Sequence, residues 1–411
     1  MQKECNLAAR LPLLLLLGTV HPAFAESAND LSAVRAEINA LKTDYAARVA
    51  GLETRIAQLE SQLAANTSAI ATIPDTAVSA PPPSAIAGSA AAFNPSISMI
   101  LSGRYANLSQ DPQTYEISGF RPAGNGVGPG TRSFNIGESE LTIAANVDPY
   151  FFANVTASIS GEDSIGVEEA YVKTIALPSG LSLKAGRFFS GVGYLNEIHA
   201  HAWDFADQPL VYQAFVNGQF AQDGVQLKWL APTDRFVEFG AETGNSGSFP
   251  ATIQNRNEPN NTALFVHTGG DIGDSINWRG GGAWLETRGD SRTWVADLTF
   301  KWAPQGNMTQ RQLKVQGEYF SRDRQSGWYL QSVYQFLPQW RIGARYDSLD
   351  AGRSAAGAAP RRTTLMLDWN PSEFTRIRAQ YAWDDARAAE RDRQLFLQYL
   401  YSIGAHGAHK F

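Results

Sequence analysis

A chain of 411 residues, 44% of them hydrophobic, is long enough for more than one ordinary domain. With 34 Lys and Arg against 40 Asp and Glu the net charge is −6, and no basic run points to a nucleic-acid partner. A single cysteine, Cys5, excludes a disulfide within the chain.

Lys3 and Arg10 precede an apolar run over 11–20, and Ala23-Phe24-Ala25 then forms a small-x-small cleavage site. Residues 1–25 therefore read as a secretory signal peptide, too short to span a bilayer. Cys5 lies before the apolar run, so thiol chemistry is not expected in the mature chain. Apolar residues next recur at Leu31, Val34, Ile38, Leu41, Tyr45, Val49, Leu52, Ile56, Leu59 and Leu63. Spacings of three and four make a heptad seam, with one stutter between Tyr45 and Val49. This predicts a periplasmic, self-associating coiled coil over 26–65; the alternative is one amphipathic helix lying on its own domain. Ala, Ser, Thr and Pro, including Pro81-Pro82-Pro83, then make 66–92 a linker.

From 93 to 411 the pattern is that of one all-β domain. No stretch is apolar for long enough to be a membrane helix. Short connections carry Pro, Gly or Asp, as in Val147-Asp148-Pro149, Leu177-Pro178-Ser179-Gly180 and Asn370-Pro371-Ser372. They alternate with connections that are often longer and more polar, and the runs between them number about sixteen antiparallel strands. Several runs have one apolar face. Trp340, Ile342, Ala344 and Tyr346 alternate with Arg341, Gly343, Arg345 and Asp347, and Leu365, Leu367 and Trp369 alternate with Thr364, Met366 and Asp368. A soluble sandwich would alternate too, with its apolar side inward. Aromatics at both ends of the apolar faces (Trp294 and Trp302, Trp340 and Tyr346) favour a transmembrane barrel with that side outward. The fold class expected is an all-β transmembrane barrel preceded by an α-helical coiled coil.

Between 188 and 220 the alternation stops. The stretch is longer than an ordinary connection and too aromatic to be disordered. It reads as a constriction loop, 189–222, folded into the barrel lumen. Alternation puts Arg341, Arg345, Arg362, Arg376 and Arg378 on the pore wall, with Arg279 and Lys314 extending the row. Glu197, Asp204 and Asp207 on the loop oppose them. One reading has the wall charges solvating the lumen and pairing with Asp347 and Asp368; the other has a transverse field acting across a narrow constriction. His199 and His201 form an HxH pair able to ligate a divalent metal, with the remaining ligands undefined. His406 and His409 belong near the end of the last strand, away from that pair. No G-x-S-x-G, H-E-x-x-H or phosphate-cradling motif stands at a suitable junction, so neither catalysis nor a cofactor is expected.

The closing segment 398–411, with alternating Tyr399, Tyr401 and Ile403 and a terminal Phe411, resembles the last strand of Gram-negative outer-membrane proteins. That resemblance implies recognition of Phe411 by the barrel assembly machinery. Val167-Glu168-Glu169-Ala170-Tyr171-Val172 and Leu183-Lys184-Ala185-Gly186-Arg187-Phe188-Phe189 resemble the phosphate-selective porin-like superfamily. The stretch His199-Ala200-His201-Ala202-Trp203-Asp204-Phe205, with Asp207-Gln208-Pro209-Leu210, is similar to a proteobacterial branch often named zinc-regulated or TonB-dependent outer-membrane receptor. The resemblance implies a homotrimeric porin in outer-membrane lipid that passes small solutes or ions. The alternative is a substrate-specific uptake protein or receptor, for zinc or another metal.

Overall fold

The computed structural model describes Thr54 and residues 95–404, apart from 121–126, 160, 162–163, 247–256, 288–290, 353–358 and 389. The chain divides into two units, Met1–Ile86 and Ala87–Phe411. Thr54 is helical; the signal peptide, the rest of the coiled coil, the linker, His406, His409 and Phe411 lie outside the described residues.

The second unit is a closed antiparallel barrel. Its strands are β1 (Ser96–Leu108), β2 (Ser133–Asn135), β3 (Ser139–Asn146), β4 (Phe151–Ile159), β5 (Ile165–Thr174), β6 (Leu181–Phe189), β7 (Ala221–Leu230), β8 (Phe236–Asn245) and β9 (Asn261–Ile272). They continue through β10 (Ile276–Thr287), β11 (Ser291–Trp302), β12 (Gln312–Arg322), β13 (Gln325–Leu337), β14 (Trp340–Asp350), β15 (Arg361–Ser372), β16 (Thr375–Asp385) and β17 (Asp392–Gly404). From β3 to β17 each pairs with its neighbour in sequence, and β1 closes the ring on β17 from Ser98↔Gly404 to Leu108↔Gln394. The short β2 shares one place with β3: β1 pairs β2 over 104–106 and β3 over 96–100. The barrel thus has the sixteen expected strand positions.

Local chemistry sets the hairpins. At the β3–β4 turn the Asp148 carboxylate accepts from the backbone N–H groups of Tyr150 (2.7 Å) and Phe151 (2.8 Å), a side-chain mimic of a backbone turn. At the β5–β6 turn Ser179 and Gly180 both take positive φ (61° and 77°), the left-handed pair that matches strand twist in tight hairpins.

Alternation then decides the two faces. Ile342, Leu365, Leu367, Ile377 and Leu397 are exposed, while Arg345, Asp368 and Arg378 on the opposite faces are each at most 2% exposed. Leucine outside and arginine inside is the reverse of a water-soluble protein, and it is favourable where the outer face meets hydrocarbon. Trp340 and Trp369 stack across β14 and β15 at the short-turn end (6.1 Å), and Trp328 lies against Tyr346 (5.6 Å) toward the other. Trp340 and Tyr346 are girdle positions expected from the sequence, and Trp369 and Trp328 join them. The inner face departs from expectation over β9–β14. There Ala263, Phe265, Leu285, Val295, Phe320 and Leu349 are buried on the lumen side, because a folded loop rather than water covers them.

Candidate functional site

The strand β6 ends at Phe189 and the chain rejoins the wall at Ala221. Between them the loop returns to its own starting point. The Ser190 N–H donates to the Phe220 carbonyl (3.0 Å), and the Asn196 amide donates to the carbonyls of Ser190 (2.8 Å) and Phe220 (2.9 Å) while accepting from the Phe220 N–H (2.7 Å). A neck closed in this way makes the segment a compact Ω-type loop.

Two buried glutamates hold its near end. Glu318 on β12 accepts from the N–H groups of Tyr194 (3.1 Å) and Leu195 (3.0 Å) and from the hydroxyls of Tyr212 (2.8 Å) and Tyr329 (2.6 Å). The turn that aims those two N–H groups needs Gly193 at φ +80°, where a Cβ would collide with the Glu318 carboxylate. Glu242 on β8 accepts from Ser190 Oγ (2.6 Å), the Gly191 N–H (2.8 Å), Gln222 (2.6 Å) and Gln226 (2.6 Å). Four donors on each carboxylate offset the cost of burying it. Farther along, the loop forms α1 (Leu210–Val216), whose first N–H donates to Asp347 (2.8 Å) and whose end is capped by Asn217 at φ 58°. Leu210, Val211 and Phe215 of α1 pack with Phe320, Tyr329 and Leu349 of the wall. Phe120, from the first long connection, covers Phe215 from the other side at 5.6 Å.

All three predicted constriction acids are present in this loop, and each touches the predicted basic wall. Glu197 pairs with Lys228 (3.0 Å) and Arg279 (3.6 Å). Asp204 pairs with Lys314 (2.9 Å) and Arg341 (3.2 Å). Asp207 pairs with Arg345 (2.8 Å) and Arg362 (2.9 Å) and accepts from Gln380 (2.8 Å). Arg376 donates to the carbonyls of His201 (3.2 Å) and Trp203 (3.4 Å), and Arg378 to that of Trp203 (3.1 Å). The basic row therefore binds the loop itself. The opposed charges do not face each other across an open gap, and Asp347 and Asp368 share the same arginines.

Burial alone would raise the carboxyls of Asp204 and Asp207. The charges of Lys314 and Arg341 outweigh it for Asp204, and those of Arg345 and Arg362 hold Asp207 down to about 2. A depressed carboxyl contributes stability above its unfolded value near about 3.9, lost as pH falls through the folded one. The latch is expected to hold from neutral pH down to about pH 4 and to release as pH approaches about 2. Channel recordings across that range check this: conductance should stay flat and then rise at the acid end.

The histidine side chains of the loop meet carboxylates of β3 and β5. His199 Nδ1 lies 3.1 Å from both Glu140 Oε2 and Glu168 Oε2, and its Nε2 lies 3.1 Å from Glu169 Oε2. His201 Nδ1 lies 2.8 Å from Glu140 Oε1. Burial would discharge His199, but hydrogen bonds with Glu140, Glu168 and Glu169 hold its pKa well above the ordinary value. Glu138, just before β3, is shifted well upward by burial and then by its hydrogen bond and charge contact with Glu168.

The wall anchors Glu242 and Glu318 and the histidine partners Glu140, Glu168 and Glu169 were not among the residues expected from sequence. One signal was present. Adjacent Glu168 and Glu169 cannot both face inward on a regular strand, and an acidic doublet within an otherwise alternating run marks an irregularity.

No family model matches this sequence. Among solved structures the barrel is similar to the outer membrane channel DcaP of Acinetobacter baumannii (TM-score 0.52, 11% identity, covering 77% of this chain and 99% of that one). It is also similar to an anion-selective porin from Comamonas acidovorans (TM-score 0.50, 12% identity, 76% and 100%). OmpT of Vibrio cholerae in its trimer form aligns with TM-score 0.50 at 10% identity, over 76% and 100%. At these identities the likeness concerns the fold. A protein of Aquifex aeolicus (strain VF5), described as an uncharacterized protein, is 30% identical over 382 residues, which cover 78% of this chain and 80% of that one. At that identity and coverage, the chain belongs to the same family as the Aquifex aeolicus protein.

Proposed function

We propose that the protein is an outer-membrane channel for small solutes, its passage narrowed by the loop between β6 and β7. The carrying observation is the closed barrel with an exposed apolar outer face, whose lumen is crossed by a loop fastened to a row of seven Arg and Lys residues. A wall used only for anchorage in lipid has no need of a buried, charge-latched segment inside it. The anion-selective porin and the outer membrane channel DcaP, which have the same fold, support the reading, and the trimer form of OmpT supports a homotrimer. The finer likeness to the phosphate-selective porin-like superfamily rests on the motifs that form β5 and β6, the strands leading into the loop. No catalytic role is part of this reading, and a dedicated metal receptor has no better support among the similar structures.

Single-channel recording in planar bilayers tests the proposal. The purified protein is expected to give ion-conducting steps without an energy source, smaller than those of a variant lacking 197–208. Folded protein that inserts but carries no current, with or without that segment, would overturn it.

A further inference from the structure

The cluster on the histidine side of the loop is built from three separate segments. His199 and His201 come from the loop, Glu140 from β3, and Glu168 and Glu169 from β5. One donor atom each from Glu140, His199 and His201 lies within 4.8 Å of the others. Glu140 meets each imidazole with a different oxygen, Oε1 at 2.8 Å from His201 Nδ1 and Oε2 at 3.1 Å from His199 Nδ1, so both Nδ1 atoms converge on one carboxylate.

The wall is shaped to supply further donors. Along β4 and β5, Ala157 pairs with Val167 and Thr156 with Glu169, leaving Glu168 as the extra residue of a β-bulge. On a regular strand Glu168 would share the outer face with Ala170 and Val172, opposite Glu169. With the bulge, Glu168 and Glu169 both reach His199, one at each ring nitrogen. A bulge that re-aims a side chain inward is a typical functional use of such an irregularity. The cluster also remains reachable. The side chains of His199, His201, Glu168 and Glu169 are 21%, 13%, 13% and 12% exposed, so an ion can reach them without unfolding the loop.

We propose that His199, His201 and Glu140, with Glu168 as the fourth donor at His199 Nδ1 and Glu169 accepting from the Nε2–H behind it, form a binding site for a divalent transition-metal ion. Two imidazoles with carboxylates suit Zn²⁺, Fe²⁺, Co²⁺ or Ni²⁺ better than Mg²⁺ or Ca²⁺, which take all-oxygen sets. Because the donors come from both loop and wall, the ion cross-links the loop to β3 and β5, strands the arginine row does not reach. The competing state is a metal-free clasp, in which imidazole N–H groups donate to the same carboxylates.

The test uses the full chain folded in detergent, with Co²⁺ as probe. Wild type is expected to bind one Co²⁺ per chain with visible d–d absorption, displaced by Zn²⁺ and insensitive to millimolar Mg²⁺. H199A/H201A should lose at least tenfold in affinity, and E168Q should weaken binding to a smaller extent. Cu²⁺ bound to wild type should show nitrogen couplings from two imidazoles by electron paramagnetic resonance, a readout needing no variant. Absence of stoichiometric Co²⁺ binding, or all-oxygen ligation of Cu²⁺, would overturn the site and leave the clasp. Metal binding is read without current, so its failure and a failure of the channel proposal are separable.

Discussion

Replacing both Asp204 and Asp207 with alanine is expected to raise single-channel conductance severalfold and to shift the current toward anions. Asp204 is shared by Lys314 and Arg341, and Asp207 by Arg345 and Arg362. Removing one partner of a buried pair costs about 3–5 kcal/mol when it leaves the other charge uncompensated; Arg345 and Arg362 keep Asp347 and Arg341 keeps Asp368, so each change belongs below that range. Lys314 and Arg341 also keep partial solvent contact, which lowers the Asp204 cost further. The 204–208 stretch should then loosen from Lys314, Arg341, Arg345 and Arg362, while His199 and His201 keep Glu140, Glu168 and Glu169. The neck should stay, because Glu242, Glu318 and Asn196 hold it through contacts the substitutions do not touch. Asn at both positions separates charge from volume: reversal potentials in a salt gradient should move toward anion selectivity with a smaller rise in conductance. If neither pair of substitutions alters conductance or selectivity, the loop does not control the passage.

The second large effect concerns the outer face. Leu367→Arg, halfway along β15, should destabilise the barrel by about 2–4 kcal/mol, because a charge at the bilayer midplane is not solvated. Leu337→Arg, at the short-turn end of β13, should cost about 0–1 kcal/mol, since charge is tolerated near the interface. Both leucines are solvent-accessible in the isolated chain, 41% and 51%, so an aqueous surface would accept either change. Denaturant unfolding in phospholipid vesicles measures the difference. Equal, small effects at the two positions would mean that hydrocarbon does not cover this face.

The barrel was legible in the sequence because its signal is local. Strand alternation depends only on neighbouring residues, and the Pro, Gly and Asp turns set where each run stops. The outward set Ile342, Leu365, Leu367 and Ile377 and the inward set Arg341, Arg345, Arg362 and Arg378 follow from the period alone, as does the strand count once the turns are marked. The loop was legible as a failure of that period, and its acids and the basic row were legible as opposite charges with nowhere else to go.

What the sequence could not decide is which charges touch. Asp204 meets Lys314 across 110 positions of chain, and Asp207 meets Arg345 across 138; only the closed ring and the loop's path bring them together. Glu318 reads in the sequence as one more polar lumen position, and becomes a four-donor anchor only when Tyr194, Leu195, Tyr212 and Tyr329 converge on it. The apolar inner patch of Phe265, Leu285 and Phe320 contradicts a uniformly polar lumen, because burial there is set by the loop between β6 and β7 packing against it. The two histidines marked a metal pair in the sequence, but Glu140, Glu168 and Glu169 joined them through a strand pairing and a bulge. By itself the sequence determined the periodic part of this protein, strands and faces, since period is a property of neighbours. Contacts between distant charges, and the burial they create, were decided by the tertiary structure, because closing the ring fixes those distances.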